Sequence, residues 1–138
     1  MKKKIATLIA AVVLVVICMF AYQIAYPEWL VSRFLSQHPA SELRKYALSL
    51  NVGGRVDEDA LSDRGRWPNG FADFGVIEIM SYIDGILVIL HSNDKKRCGV
   101  FISMETEGDL VPYDGSGISF KAVGDSVFTF EEKLRDEF

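Results

Sequence analysis

Cysteine is scarce: the chain has two, Cys18 inside an apolar run and Cys98 in the remainder, so no disulfide framework is available to staple the fold. Histidine is as scarce, and any histidine-based chemistry must use His38 or His91. His38 precedes Pro39 and reads as a residue at a helix start. Charge is missing altogether between Lys4 and Glu28, which excludes an ordinary solvated first segment. A phosphate-binding loop is absent too. Gly115, Ser116 and Gly117 are followed by strand-like residues, where such a site would need a helix.

What the first segment has instead is an apolar run over residues 5–26 in which Thr7 and Gln23 are the clear polar exceptions. A run of this length spans a hydrocarbon core of about 30 Å as a helix. A secretory signal has a shorter apolar region, roughly 7 to 15 residues, ending in a small-x-small site. Here a cut after Ala25 would place Gln23 where a small residue belongs, and acylation at Cys18 would follow the bulky Ile17. The run therefore reads as an uncleaved signal anchor. Lys2, Lys3 and Lys4 favour a cytoplasmic amino end, and Tyr22, Tyr26 and Trp29 suit the opposite membrane boundary. The expected organisation is a cytoplasmic tip (1–4), a transmembrane helix (5–26), a stalk helix (27–38) and an extracytoplasmic domain (39–138). That arrangement implies a single-pass protein of a bacterial-type inner membrane with its carboxyl-terminal domain in the periplasm.

Beyond the run, residues 27–138 are the size of one domain with a core of its own. Of the 15 lysines and arginines three precede the run, leaving 12 against all 19 acidic residues, a balance of −7. Such a balance opposes nucleic-acid binding and tight docking on an anionic membrane, and it mildly favours a basic protein partner.

Pro27 either begins a new helix or kinks a continuing one, and Trp29, Leu30, Phe34 and Leu35 form an apolar stripe that packs on the domain or lies at the interface. A second helix follows Pro39, with Leu43, Tyr46, Ala47 and Leu50 on one face and a stop at Gly53 and Gly54. Residues 55–70 lose periodicity and read as a long loop. Asp57, Asp59 and Asp63 resemble the opening of a calcium loop, yet its sixth position holds Ser62 instead of Gly and its twelfth Pro68 instead of Glu. No metal and no cofactor is expected.

From Phe71 the chain turns to strand chemistry. Strands are expected at 76–83, with Ile77, Ile79 and Ile83 on one face, and at 86–90, apolar throughout as in a strand covered on both sides. Further strands are expected at 98–103, at 118–123, with Ile118, Phe120 and Ala122 on one face, and at 127–130. Asp84 and Gly85 signal a hairpin, and the charged tail from Glu131 is expected to fray. The fold class is α+β: a transmembrane helix, then one or two helices packed on an antiparallel meander of about five strands.

One catalytic constellation is worth stating, a Cys98 nucleophile with His91 as base and Asp84 or Asp94 as orienter. It depends on register. A five-residue loop at 92–96 sets Leu90 opposite Cys98 and puts His91 on the other face. A four-residue loop sets Ile89 there and brings the two to one face, because a one-residue slip reverses every side chain. Cys98 itself begins a strand and is expected to be buried. Carboxylates such as Glu105, Glu107 and Asp109 lie in turns.

The function expected is that of a non-enzymatic, membrane-anchored module that binds a protein partner, as an immunity protein neutralises a toxin. Its candidate contacts are Asp57, Glu58, Asp59, Asp63, Trp67, Phe71, Tyr113 and Asp114, with packing of the loop on the core the equally open reading of Trp67 and Phe71. The alternatives are an accessory subunit of an envelope complex, whose span offers Ala6, Ala10 and Ala11 for helix approach, and the thiol enzyme.

Overall fold

A computed structural model of the chain describes residues 2–53, 55–82, 85–104, 117–124 and 126–134. Helix α1 (Lys2–Gln37) takes in both the apolar run and the stalk without a break. Its window Lys2–Gln23 is long and apolar enough to cross a membrane, and none of it is buried against the rest of the chain. Pro27 lies inside the helix. It cannot donate to the carbonyl of Gln23, so the missing bond falls at the end of the apolar window. The helix continues through Pro27 rather than restarting there. Its last turns bury Val31 and Phe34 in the core, with Leu30 and Leu35 packed against them, so the stalk stripe packs on the domain.

Helix α2 (Ala40–Ser49) buries Leu43 and Ala47, one turn apart. The next segment is more ordered than a loop. A two-stranded ribbon, β1 (Asn51–Val52) and β2 (Arg55–Val56), is followed by α3 (Glu58–Ser62), a 3-10 turn (Arg64–Arg66) and α4 (Phe71–Phe74). Two aspartates start these pieces: Asp57 accepts from the Ala60 N–H at the head of α3, and Asp63 accepts from Gly65 in the 3-10 turn. Each satisfies a backbone donor that a short helix leaves unpaired.

Five antiparallel strands make the main sheet: β3 (Glu78–Tyr82), β4 (Gly85–Ser92), β5 (Lys96–Ser103), β6 (Ile118–Gly124) and β7 (Val127–Lys133). Their order is β3-β4-β5-β7-β6. The first three form a meander; the last hairpin docks through β7, which leaves β6 at an edge. Tyr82 faces Gly85 across the β3–β4 hairpin, while Ile83 and Asp84 lie outside the described residues. Ile77 precedes β3 and is exposed, and Val76 and Ile79 are buried in its place. Ile118 and Phe120 share an apolar cluster, but Ala122 is exposed. The tail is not frayed from Glu131, because Glu131, Glu132 and Lys133 continue β7 opposite Cys98, Arg97 and Lys96.

Burial on both faces of β4 runs unbroken from Gly85 through Leu90. One face joins Ile79, Ile86, Val88, Val100, Ile102 and Val127 to the helices. The other holds Leu87, Ile89, Phe101, Ile118, Phe128 and Phe130. Each such side chain contributes about 1.5–3 kcal/mol by leaving water, so the two clusters dominate the energetics of the domain.

Candidate functional site

Two candidate regions read from the sequence are placed by the structure. In the first, α3 is fixed from below by buried Ala60 and Leu61, and Trp67 closes the segment by donating its indole N–H to the Leu61 carbonyl at 2.9 Å. Trp67 and Phe71 are 8 % and 0 % exposed, so they are core residues and not exposed contacts as the loop reading has them. The acidic members behave differently. Glu58, Asp59 and Asp63 are exposed, whereas Asp57 is partly covered and pairs with Arg66 at 3.3 Å. Glu58 also accepts a long bond from the Ser81 hydroxyl on β3, and the Arg64 guanidinium, stacked over Trp67, donates to the Ile77 carbonyl. The result is an acidic ridge whose segment is bonded to β3 at Ser81 and to the residue before it, Ile77. Tyr113 and Asp114 lie outside the described residues.

In the second region, β4 and β5 are joined with Ser92 opposite Arg97, so the turn is made by residues 93–96. Asn93 organises it: its side-chain oxygen accepts from the Lys95 and Lys96 N–H groups at 2.8 and 2.9 Å. The register slips between Ile89 and His91, which makes Leu90 the extra residue of a bulge. Cys98 is opposite His91, not Leu90 or Ile89. The turn has four residues but spans 93–96, which sets His91 opposite Cys98, and the bulge at Leu90 then returns the strands to the Ile89–Gly99 register. The His91 ring packs edge-on against Tyr26 at 5.9 Å, and its Nε2 has Asn93 Nδ2 at 3.5 Å. Asp94 is exposed in the turn, and Asp84 lies outside the described residues.

The thiol of this pair is not activated. Cys98 is buried, and burial pushes its pKa up to about 11, with Lys96 pulling it down and Glu131 adding to the rise. The group is a protonated thiol at neutral pH, the opposite of the thiolate that a nucleophile requires. Two consequences can be measured. A thiol reagent at pH 8 is expected to modify Cys98 only as fast as the domain opens; fast reaction of the folded protein would contradict the burial. Stability is also expected to fall as pH rises from about 9 to about 11, because the unfolded chain releases a proton that the folded chain retains. Denaturant midpoints for the native chain and Cys98→Ala, compared at pH 8 and pH 10.5, isolate that contribution.

Two hollows have no counterpart in the sequence reading. A groove of about 490 Å³ runs between α1 and the helix side of β6 and β7, walled by Val31 and Leu35 and floored by Lys121, Thr129 and Glu131. Lys96 and Glu131 form an ion pair in it at 3.8 Å. A second hollow of about 450 Å³ lies between α2 and the α3 segment, lined by Glu42, Tyr46, Asp57 and Arg66. Burial raises the Tyr46 hydroxyl pKa against the pull of Arg66. Next to it, His38 sits among Phe34 and Phe71 with ring centroids at 4.8 and 5.0 Å, and burial lowers its pKa against the opposing effect of Glu42. Each lining comes from three or more elements, so no local motif could have announced it.

No family model, curated protein or solved structure matches the chain. The class that the fold and surface define is a small α+β domain carried on a long apolar helix.

Proposed function

We propose that this protein is a membrane-anchored module that binds a protein partner through the acidic ridge of α3, in the manner of an immunity protein holding a toxin. The observation that carries this reading is the contrast within one segment: Ala60, Leu61, Trp67 and Phe71 are buried, while Glu58, Asp59 and Asp63 project from the frame they build. A fixed row of carboxylates steers and orients a basic partner with little ordering cost, and such a surface needs no catalytic group. The balance of −7 beyond the apolar run points to the same partner charge. In this reading α1 crosses the inner membrane with its lysines on the cytoplasmic side, and the domain works in the periplasm.

The test is a pull-down from native membranes with the tagged full-length chain and with a Glu58→Lys, Asp59→Lys, Asp63→Lys variant. A soluble basic protein retained by the native chain and lost by the variant is expected. If both chains retain the same membrane proteins, the ridge is not the contact, and the role of an accessory subunit recruited through the span replaces this reading.

A further inference from the structure

The two ends of the sheet lie at different levels along α1. At one end His91, Cys98, Glu131 and Ser119 form a row across four strands, and Tyr26 of α1 touches this row through His91. At the other end Ile86, Ile102, Val127 and Gly124 form a parallel row. That row meets the start of α2, where a Cβ on Gly124 would lie 2.9 Å from the Ala40 methyl. Strand β4 runs from the second row to the first. Its turn, residues 93–96, therefore projects past His91 toward the apolar end of α1.

The heights can be compared. Tyr26 lies three residues past the apolar window that ends at Gln23, about 4.5 Å along a helix. Asp94 lies three residues past His91, and extended chain covers up to about 10 Å in that length. Unless the strand is steeply inclined to the helix, the turn reaches back to the level at which the apolar window ends. Its backbone is held there: Asn93 ties the turn from within, and the Leu134 N–H donates to the Lys95 carbonyl at 2.8 Å. The Lys95 side chain is exposed at the tip, and Lys133 is exposed on the adjoining strand. On α1 the same zone carries a stack of Tyr22, Tyr26 and Trp29, at 5.0 and 5.9 Å, with the Arg33 guanidinium 5.2 Å from the Trp29 ring. Aromatic rings and a cation in one line suit the boundary between hydrocarbon and headgroups.

We infer that the β4–β5 turn is a second membrane contact, seated in the phospholipid headgroup layer with the Lys95 ammonium against a lipid phosphate. The inference rests on the reading of α1 as a membrane anchor. The balance of −7 opposes docking of the domain as a whole, but at the turn Asp94, Glu131 and Glu132 are outnumbered by Lys95, Lys96, Arg97 and Lys133, with Glu131 and Glu132 paired to Lys96 and Arg97. Glu58 of the acidic ridge sits beside Ser81, in register with Ile86 in the far row, roughly 16 Å from the His91 row along a strand. Beyond a screening length of about 8 Å, charge at that distance has little hold on a phosphate at the turn.

The experiment uses the full-length chain with Cys18→Ala in nanodiscs of phosphatidylethanolamine and phosphatidylglycerol. A fluorophore is placed at Asp94→Cys or, in a second sample, at Asp73→Cys on α4, with the native Cys98 buried in both. Lipids with a nitroxide headgroup are expected to cause a loss of emission at position 94 and none at 73, and Lys95→Glu is expected to reduce that loss. Equal emission at both positions, in a chain that co-elutes with the discs, overturns the contact and leaves the anchor standing. Undiminished quenching in Lys95→Glu overturns the phosphate pairing. A chain that does not enter the disc overturns the anchor and the contact together.

Discussion

Gly99→Ala is expected to cost more than about 3 kcal/mol, beyond the ordinary overpacking range of about 1–3 kcal/mol. An added Cβ would fall on the carbonyl oxygen of Val88, with the Val88 carbonyl carbon at 3.0 Å and the Leu90 nitrogen at 3.1 Å. All three atoms are backbone, so no side chain can swing aside. Relief requires β4 and β5 to part, and β5 is the strand that ties the β3–β4 hairpin to the β6–β7 hairpin. The clash also falls opposite Ile89, beside the bulge at Leu90. Denaturant midpoints against Gly65→Ala, a change at an exposed position whose nearest neighbour is a carboxylate oxygen at 3.2 Å, provide the measurement. Equal midpoints would mean that the strands do not approach this closely.

Phe34→Ala carries the other large effect, an expected loss of about 3–5 kcal/mol. Phe34 is 0 % exposed. Its ring meets Phe71 and Phe74 edge-on at 5.2 and 5.3 Å and His38 at 4.8 Å, so one side chain joins α1, the segment after it and α4. Truncation leaves a cavity that the three surrounding rings cannot fill, and it loosens the helix from the domain. Trp29→Ala provides the contrast, since Trp29 is 52 % exposed on the same helix and its loss is expected to cost within about 0.5 kcal/mol. Similar losses for the two variants would place the stalk elsewhere than on the core.

The parts of this fold that were legible in the sequence are those whose burial repeats with a period. The apolar run, the Leu43 and Ala47 face of α2 and the alternating or continuous apolar strands all follow from side chains meeting one surface again and again. Residues 55–70 were opaque because their helices are too short to show a period. They are maintained by two caps and by Trp67 reaching back to Leu61. Asp57 and Asp63, which resemble cation ligands, each accept from a backbone N–H, and Asp57 also pairs with Arg66. The Cys98 and His91 register is undecidable from sequence for a different reason: it turns on whether the turn begins at Ser92 or Asn93, and the bulge at Leu90 that follows leaves no mark in either strand alone. As to the candidate contacts, charge alone identified the exposed members of the acidic segment. For Trp67 and Phe71 the sequence leaves exposure and core packing both open, since a loop tryptophan and a core tryptophan are the same letter until something packs on them, and the structure has them buried.

The unbroken course of α1 through Pro27 has a consequence for how the domain meets other molecules. A globule on a slack tether samples a volume that grows with linker length and retrieves ligands from it. Here no slack exists between the apolar window and the buried Pro27, four residues past its end. The domain stands on a post, with a capture radius no wider than its own surface. A partner of the kind proposed would have to come to the post, and rotation of the post about its axis would sweep the carboxylates of α3 around like the vane of a compass.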